Sequence, residues 1–186
     1  MPSGVYAYFR VVASFIVWLW GAAMTIQWRD RMAIDHGVID HDHHTLIGLI
    51  NEFCKARLDD SGMLELQHIF ERLDRYTAVH FQREEQLQCA VNYPLAELHQ
   101  REHLGLFRKM EDLRRKFATL VQTAGDLAMV SAAPRPELVR LHTTMAEFLH
   151  FWLVDHIIKS DLRMRSYAGQ MARYSSNFVP LAKAVA

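Results

Sequence analysis

His80–Leu87 reads HFQREEQL, and the direction in which its histidine and carboxylate point decides what kind of fold this is. Residues four apart on an α-helix lie within about 40° of each other and about 6 Å apart along the axis, so His80 and Glu84 share a face. Leu73 and Tyr76 continue that face, which turns it toward a core. Taken alone, HxxxE on a helix is a weak sign of a metal and an easy chance occurrence. The other walls have to come from the rest of the chain.

They do. HQREH (His99–His103) repeats the spacing, and Leu106, Phe107 and Met110 extend its face. Met145, Leu149 and Trp152 lead up to His156 at helical intervals, and Leu46 and Ile47 lie three and four residues beyond His43. The other histidines do not converge with these. His41, His68 and His150 sit about 120–200° away from the inward ones and are predicted to face solvent. His44 is off its stripe by about 100°, and His36 precedes the first helix. His142 is on the stripe but some 20 Å from His156, as an end-of-core histidine.

One histidine on an apolar face is more often a satisfied core residue than a ligand. Five of them from four helices, with a carboxylate, are different, because each unpaired buried polar group costs free energy. A metal ion uses those lone pairs. Imidazoles without thiolates suit iron, zinc or copper better than magnesium or calcium, and five exceed what one tetrahedral zinc takes. Two metals sharing carboxylates fit better, as in helix bundles that hold dimetal centres. Glu84 supplies one bridge. Asp161 is the second candidate, but five residues after His156 it lies about 140° off that face. It needs a relaxed last helical turn or a position between the two metals.

The helices that carry these residues are bounded by ordinary signals. Apolar periodicity predicts helices over Ile39–Ala56 and Met63–Cys89, with a turn at Asp59–Gly62 in which Ser61 can cap. VNYP breaks the second helix, and Pro94 suits the first position of a third that runs to about Val121. Gly125, Ser131, Pro134 and Pro136 mark a loop before a fourth helix, roughly Glu137–Ser160. No strand alternation or repeat is visible. Four long helices with short connections imply an all-α, antiparallel up-down-up-down four-helix bundle over residues 24–165. Residues 166–186 read as a frayed turn and a C-terminal tail that docks through Tyr174 and Phe178.

At 186 residues, 51% of them hydrophobic, the chain can bury one sizeable core. Its 21 basic and 21 acidic residues balance, so no basic field invites nucleic acid. Cys54 and Cys89 stand far apart and read as reduced thiols of a cytoplasmic protein. Residues 1–23 differ from the rest, since Val11–Ile26 carries no charge. Three readings fit them. One is an upstream extension from a misread start, with Met24 the true first residue. A second is a membrane anchor, its C-terminal side weakly favoured as cytoplasmic by Arg29 and Arg31. A third is a signal peptide with a poor cleavage site at Gly21–Ala23.

From about Trp28 to Asp161 the sequence resembles the hemerythrin family, in particular the bacterial single-domain hemerythrins. VIDHDHHTLIGLINEF stands beside the family's I-D-x-Q-H-x-x-L, and HFQREEQL beside H-F-x-x-E-E. NYPLAELHQREH stands beside Y-P-x-x-x-x-H-x-x-x-H, and WLVDHIIKSD beside W-L-x-x-H-I-x-x-x-D. The resemblance implies seven ligands for two iron ions: His43, His80, Glu84, His99, His103, His156 and Asp161. It implies that His99, His103 and His156 hold one iron, and His43 and His80 the other, which keeps an open position. Glu84, Asp161 and an oxo or hydroxo group would bridge the two. Asp42 departs from the pattern, standing where the family usually has glutamine.

The implied activity is reversible binding of dioxygen, each ferrous ion giving one electron to a molecule arriving at the open position. Leu46, Ile47, Trp152 and Leu153 lie within a turn of ligands and would form a dry pocket. Two other functions share the ligand set: a di-iron redox enzyme (oxidase, peroxidase or nitric-oxide handling), and an oxygen or redox sensor acting through the terminal extensions.

Overall fold

A computed structural model describes residues 25–59, 62–126 and 136–175 of the chain. Four long helices, α1 (Val38–Lys55), α2 (Met63–Ala90), α3 (Ala96–Asp126) and α4 (Pro136–Lys159), form the bundle. Each packs on its neighbours in sequence, and α4 closes the ring against α1. The expected all-α bundle is what the chain adopts, and no strand occurs among the described residues.

Local chemistry sets the helix ends. Asp35 caps α1: its carboxylate accepts from the backbone N–H groups of Gly37 (2.8 Å), Ile39 (3.3 Å) and Asp40 (3.2 Å). At the end of α2, Asn92 takes a left-handed conformation (φ 51°). That lets Tyr93 N–H reach the Gln88 carbonyl at 2.9 Å and Asn92 N–H reach Cys89 at 3.1 Å, a Schellman closure. VNYP therefore stops the helix by an asparagine as much as by Pro94. Pro94 itself falls in the turn before α3, because Ala96 N–H bonds back to Tyr93 and the helix proper begins there. The Asp59–Gly62 turn is closed by Asp59, whose carboxylate accepts from Gly62 N–H at 2.9 Å. Ser61, the expected cap, lies outside the described residues, as do residues 1–24 and Phe178.

Two apolar clusters fill the bundle. The larger holds Leu46, Ile50, Phe53, Leu66, Phe70, Leu73, Met110, Leu113, Met145 and Leu149. The smaller gathers Ile34, Ile39, Leu87, Val91, Tyr93, Met164 and Met171. Along α1, α2 and α3, the inward histidines and Glu84 fall between the residues of the two clusters. A polar layer is thus sealed by apolar packing at both ends.

The chain beyond α4 is better ordered than its sequence suggests. A 3₁₀ helix (Asp161–Tyr167) runs into α5 (Ala168–Ser175), and Met164 and Met171 are fully buried. Tyr174, expected to dock this segment, is 42% exposed; the two methionines, seven residues apart on one face, do the docking. Arg165 fastens the same segment to the N-terminal arm, donating to the backbone carbonyls of Ala33 and Arg31. No helix among the described residues is long and apolar enough to cross a membrane.

Candidate metal centre

Seven side chains converge in the polar layer: His43 from α1, His80 and Glu84 from α2, His99 and His103 from α3, His156 from α4, and Asp161 from the 3₁₀ helix. All are buried, none more than 7% exposed. Asp161 gets there by the relaxed turn its spacing required. The α-helix stops at Lys159, Ser160 turns away at ψ −59°, φ −111°, and the chain tightens to 3₁₀ geometry.

The two carboxylates are shared in a regular way. Glu84 points Oε1 at His43 Nε2 (3.9 Å) and His80 Nε2 (3.8 Å), and Oε2 at His99 Nε2 and His103 Nε2 (3.3 Å each). Asp161 points Oδ2 at His43 Nε2 (3.3 Å), and Oδ1 at His99 Nε2 (3.3 Å) and His156 Nε2 (3.2 Å). Each carboxylate therefore gives one oxygen to the His43 side and the other to the His99 side. Two donor groups result: Glu84 with His99, His103 and His156, and Glu84 with His43 and His80, each with its donor atoms within 4.8 Å of one another.

The fit of this pocket to a cation follows from its unused atoms. Both ring nitrogens of His43 and His80, His99 Nε2, and all four oxygens of Glu84 and Asp161 are buried without a hydrogen bond. His103 Nε2 and His156 Nε2 face each other at 3.1 Å. Donors bonded to one metal at about 2.1 Å are separated by roughly 3.0–3.4 Å, which is the spacing found around His99, His103 and His156, while Glu84 stands wider from His80 and His43, at 3.8 and 3.9 Å. Left unmet, so many buried lone pairs would be costly; metal ions in their midst remove the cost.

Electrostatics agree. Burial opposes the charge on Glu84, but His80, His103 and His99 outweigh it and hold the carboxyl well below its usual range. For Asp161, burial and the nearby Glu84 oppose ionisation, and His156 and His43 overcome them. In return the two carboxylates raise His43 and His99 above an ordinary histidine, against the effect of burial. His156 goes the other way, lowered chiefly by burial. Protons thus stand in for metal in the metal-free chain. His43 and His99 stabilise the metal-free fold below pH ~6.5 and lose that contribution as pH rises through their raised values. Metal binding must expel those protons. Loading should therefore release protons, more of them at lower pH, and the apparent affinity should rise with pH. Indicator-dye measurement in weak buffer checks this; uptake with no proton release contradicts it.

Outside the seven, carboxylates stand against the far ring nitrogens. Glu85 meets His103 Nδ1 at 2.9 Å, Glu102 lies 3.9 Å from His156 Nδ1, and Asp42 lies 3.5 Å from His80 Nδ1. Glu85, at hydrogen-bond distance, fixes which nitrogen of His103 faces inward. Phe81, readable in sequence only as packing, lies flat on His103 with ring centroids 3.6 Å apart. Leu46, Ile47, Trp152 and Leu153 are all buried in the larger apolar cluster, and Trp152 meets Phe81 edge-on at 6.0 Å.

The remaining histidines stay out of the centre. His36, His41, His44 and His68 are exposed, and His44 packs on Trp28. His150, expected in solvent, is half-buried beside Phe151. His142 is an end-of-core residue: its Nε2 meets the Phe53 carbonyl at 2.9 Å, its ring stacks on Phe53, and burial lowers its pKa.

Residues 36–166 match the family described as the hemerythrin HHE cation binding domain. The chain is also 26% identical over 151 residues to the bacteriohemerythrin of Stenotrophomonas maltophilia (strain R551-3), covering 81% of this chain and 84% of that protein.

Proposed function

Because the chain belongs to the hemerythrin family, we propose that it is a di-iron protein that binds dioxygen reversibly, as a carrier or store. The observation that carries this reading is the split of Glu84 and Asp161, one oxygen of each toward His43 and the other toward His99. That arrangement serves two cations held side by side. Imidazole-rich donors with carboxylates and no thiolate suit iron. When bound, the pair of ferrous ions supplies two electrons, one from each ion.

The chain's own residues do the rest. His99, His103 and His156 give one position three imidazoles and two carboxylate oxygens. His43 and His80 give the other two imidazoles and two oxygens. The second position would have one protein donor fewer, which would leave room there for a small molecule. Leu46, Ile47, Trp152 and Leu153, all buried in the larger apolar cluster, would keep bulk water from the bound molecule. Leu153→Asn is expected to bring water in and speed autoxidation by about tenfold or more, followed by the decay of the oxygenated spectrum. An unchanged rate contradicts the pocket.

The reading is tested by adding dioxygen to the reduced, iron-loaded protein and then removing it under vacuum. Uptake of one molecule per chain, reversed with recovery of the starting spectrum, is the expected result. Sustained consumption of dioxygen with added reductant would make the protein an enzyme instead.

A further inference from the structure

The outer carboxylates of the centre differ in one respect. Glu85 and Glu102 are partly exposed, with neutral hydrogen-bond partners in Gln100 and Ser160. Asp42 is fully buried and carries a cation: Arg83 Nη1 donates to both of its oxygens, at 2.7 and 2.6 Å, and Tyr76 OH donates to Oδ1 at 3.3 Å. Arg83 is itself only 4% exposed and Tyr76 3%. A charge pair placed so deep demands a role, since a hydrophobic pair of like volume would cost the fold nothing.

Its place suggests the role. Tyr76, His80 and Arg83 lie four and three residues apart on one face of α2, directed at α1. Asp42 immediately precedes His43, and the rings of His43 and His80 meet there edge to face at 4.8 Å. Asp42 Oδ2 stands 3.5 Å from His80 Nδ1, a small ring rotation short of a good hydrogen bond. The other nitrogen of that ring, Nε2, faces Glu84. With Asp42 as its acceptor, the ring carries its proton on Nδ1 and leaves the Nε2 lone pair pointing inward. Arg83, donating to both oxygens, is what holds the Asp42 carboxylate in that direction in a dry site.

We propose that Arg83 is a positioning residue of the metal centre, acting through Asp42 to orient His80 and so to secure the metal position that has fewer protein donors. The inference rests on the two-iron reading. It makes the two positions separately adjustable: Arg83 and Asp42 govern one, while Glu85 and Glu102 attend the other.

The test uses the full chain and ferrous iron alone, loaded without oxygen in competition with a chelator. Arg83→Met should weaken one of the two iron equivalents by about 10- to 100-fold and leave the other within about twofold. Arg83→Lys, which keeps the charge, should recover most of the loss. Asp42→Asn should reproduce the defect, and the double variant Asp42→Asn/Arg83→Met should be no weaker than Asp42→Asn alone, because one residue acts through the other. In the metal-free chain, the imidazole ¹⁵N shifts of His80 should move from the Nδ1–H form in the wild type toward a mixture in Arg83→Met. If Arg83→Met does not fold, the comparison of Arg83→Lys with Asp42→Asn gives the same answer. Equal weakening of both equivalents alongside lost thermal stability, or unchanged affinity with unchanged His80 shifts, overturns the proposal. A wild-type chain that takes up a single equivalent contradicts the two-iron reading instead, and the ¹⁵N shifts still decide the role of Arg83.

Discussion

Glu84→Gln should leave the bundle folded and strip it of metal, taking iron from the proposed two equivalents per chain to less than one. Glutamine keeps the volume and shape of the side chain, so the packing around it, fully buried, is little disturbed. What is lost is an anionic donor that faces four imidazoles at once. Structural metal sites bind with roughly 10–16 kcal/mol over four ligands, or about 3 kcal/mol for each. One lost ligand therefore weakens a site by about 100-fold, and Glu84 counts toward both sites. Glu84 is also one of the carboxylates that raise His43 and His99, so the metal-free variant should hold protons there less tightly. Elemental analysis after gel filtration reads the first effect. The drop in proton release on adding iron reads the second.

Phe81→Ala should cost the fold about 3–5 kcal/mol, the range for emptying a buried aromatic site. Phe81 is 1% exposed and lies at a junction of rings: flat on His103, edge-on to Phe107 at 5.2 Å and Trp152 at 6.0 Å, and 5.8 Å from His156. Its removal opens a cavity beside His103 and His156, and both would gain freedom to turn. Unfolding by urea should show the loss in the metal-free protein. In the iron-loaded protein the loss should be larger, because weaker binding contributes less linkage. Phe81→Leu, which fills most of the space, should cost about 1.5 kcal/mol or less.

Much of this centre could be read from periodicity alone. HxxxE and HxxxH place two donors on one face of a helix, and the apolar residues around them say which way that face points. Leu73 and Tyr76 did so for His80, as Leu106 and Met110 did for His103. Helix ends were legible to within two or three residues at every boundary except the end of α3, which runs on to Asp126. What periodicity could not supply was anything that leaves the α-helical repeat. Asp161 enters the centre because the chain turns into a 3₁₀ helix after Ser160; spacing left it a loosely placed second candidate, and the likeness of WLVDHIIKSD to a known pattern supplied the pairing with His156 that spacing could not justify. Asp42 and Arg83 are 41 residues apart and meet only once α1 and α2 pack. Arg83 did carry a signal, a charge on the same inward face as Tyr76 and His80, which implies a buried partner. Met164 and Met171 carried one too, an apolar pair seven residues apart in a stretch that otherwise looked like tail.

The central claim is that seven residues of one chain hold two metal ions. It is tested most directly by titrating the metal-free protein with ferrous iron under anaerobic conditions, following bound iron against protein concentration. The titration should break at two equivalents, and the Mössbauer spectrum of the reduced protein should show two iron environments that differ in donor number. A break at one equivalent, with His43 and His80 left free, would contradict the claim.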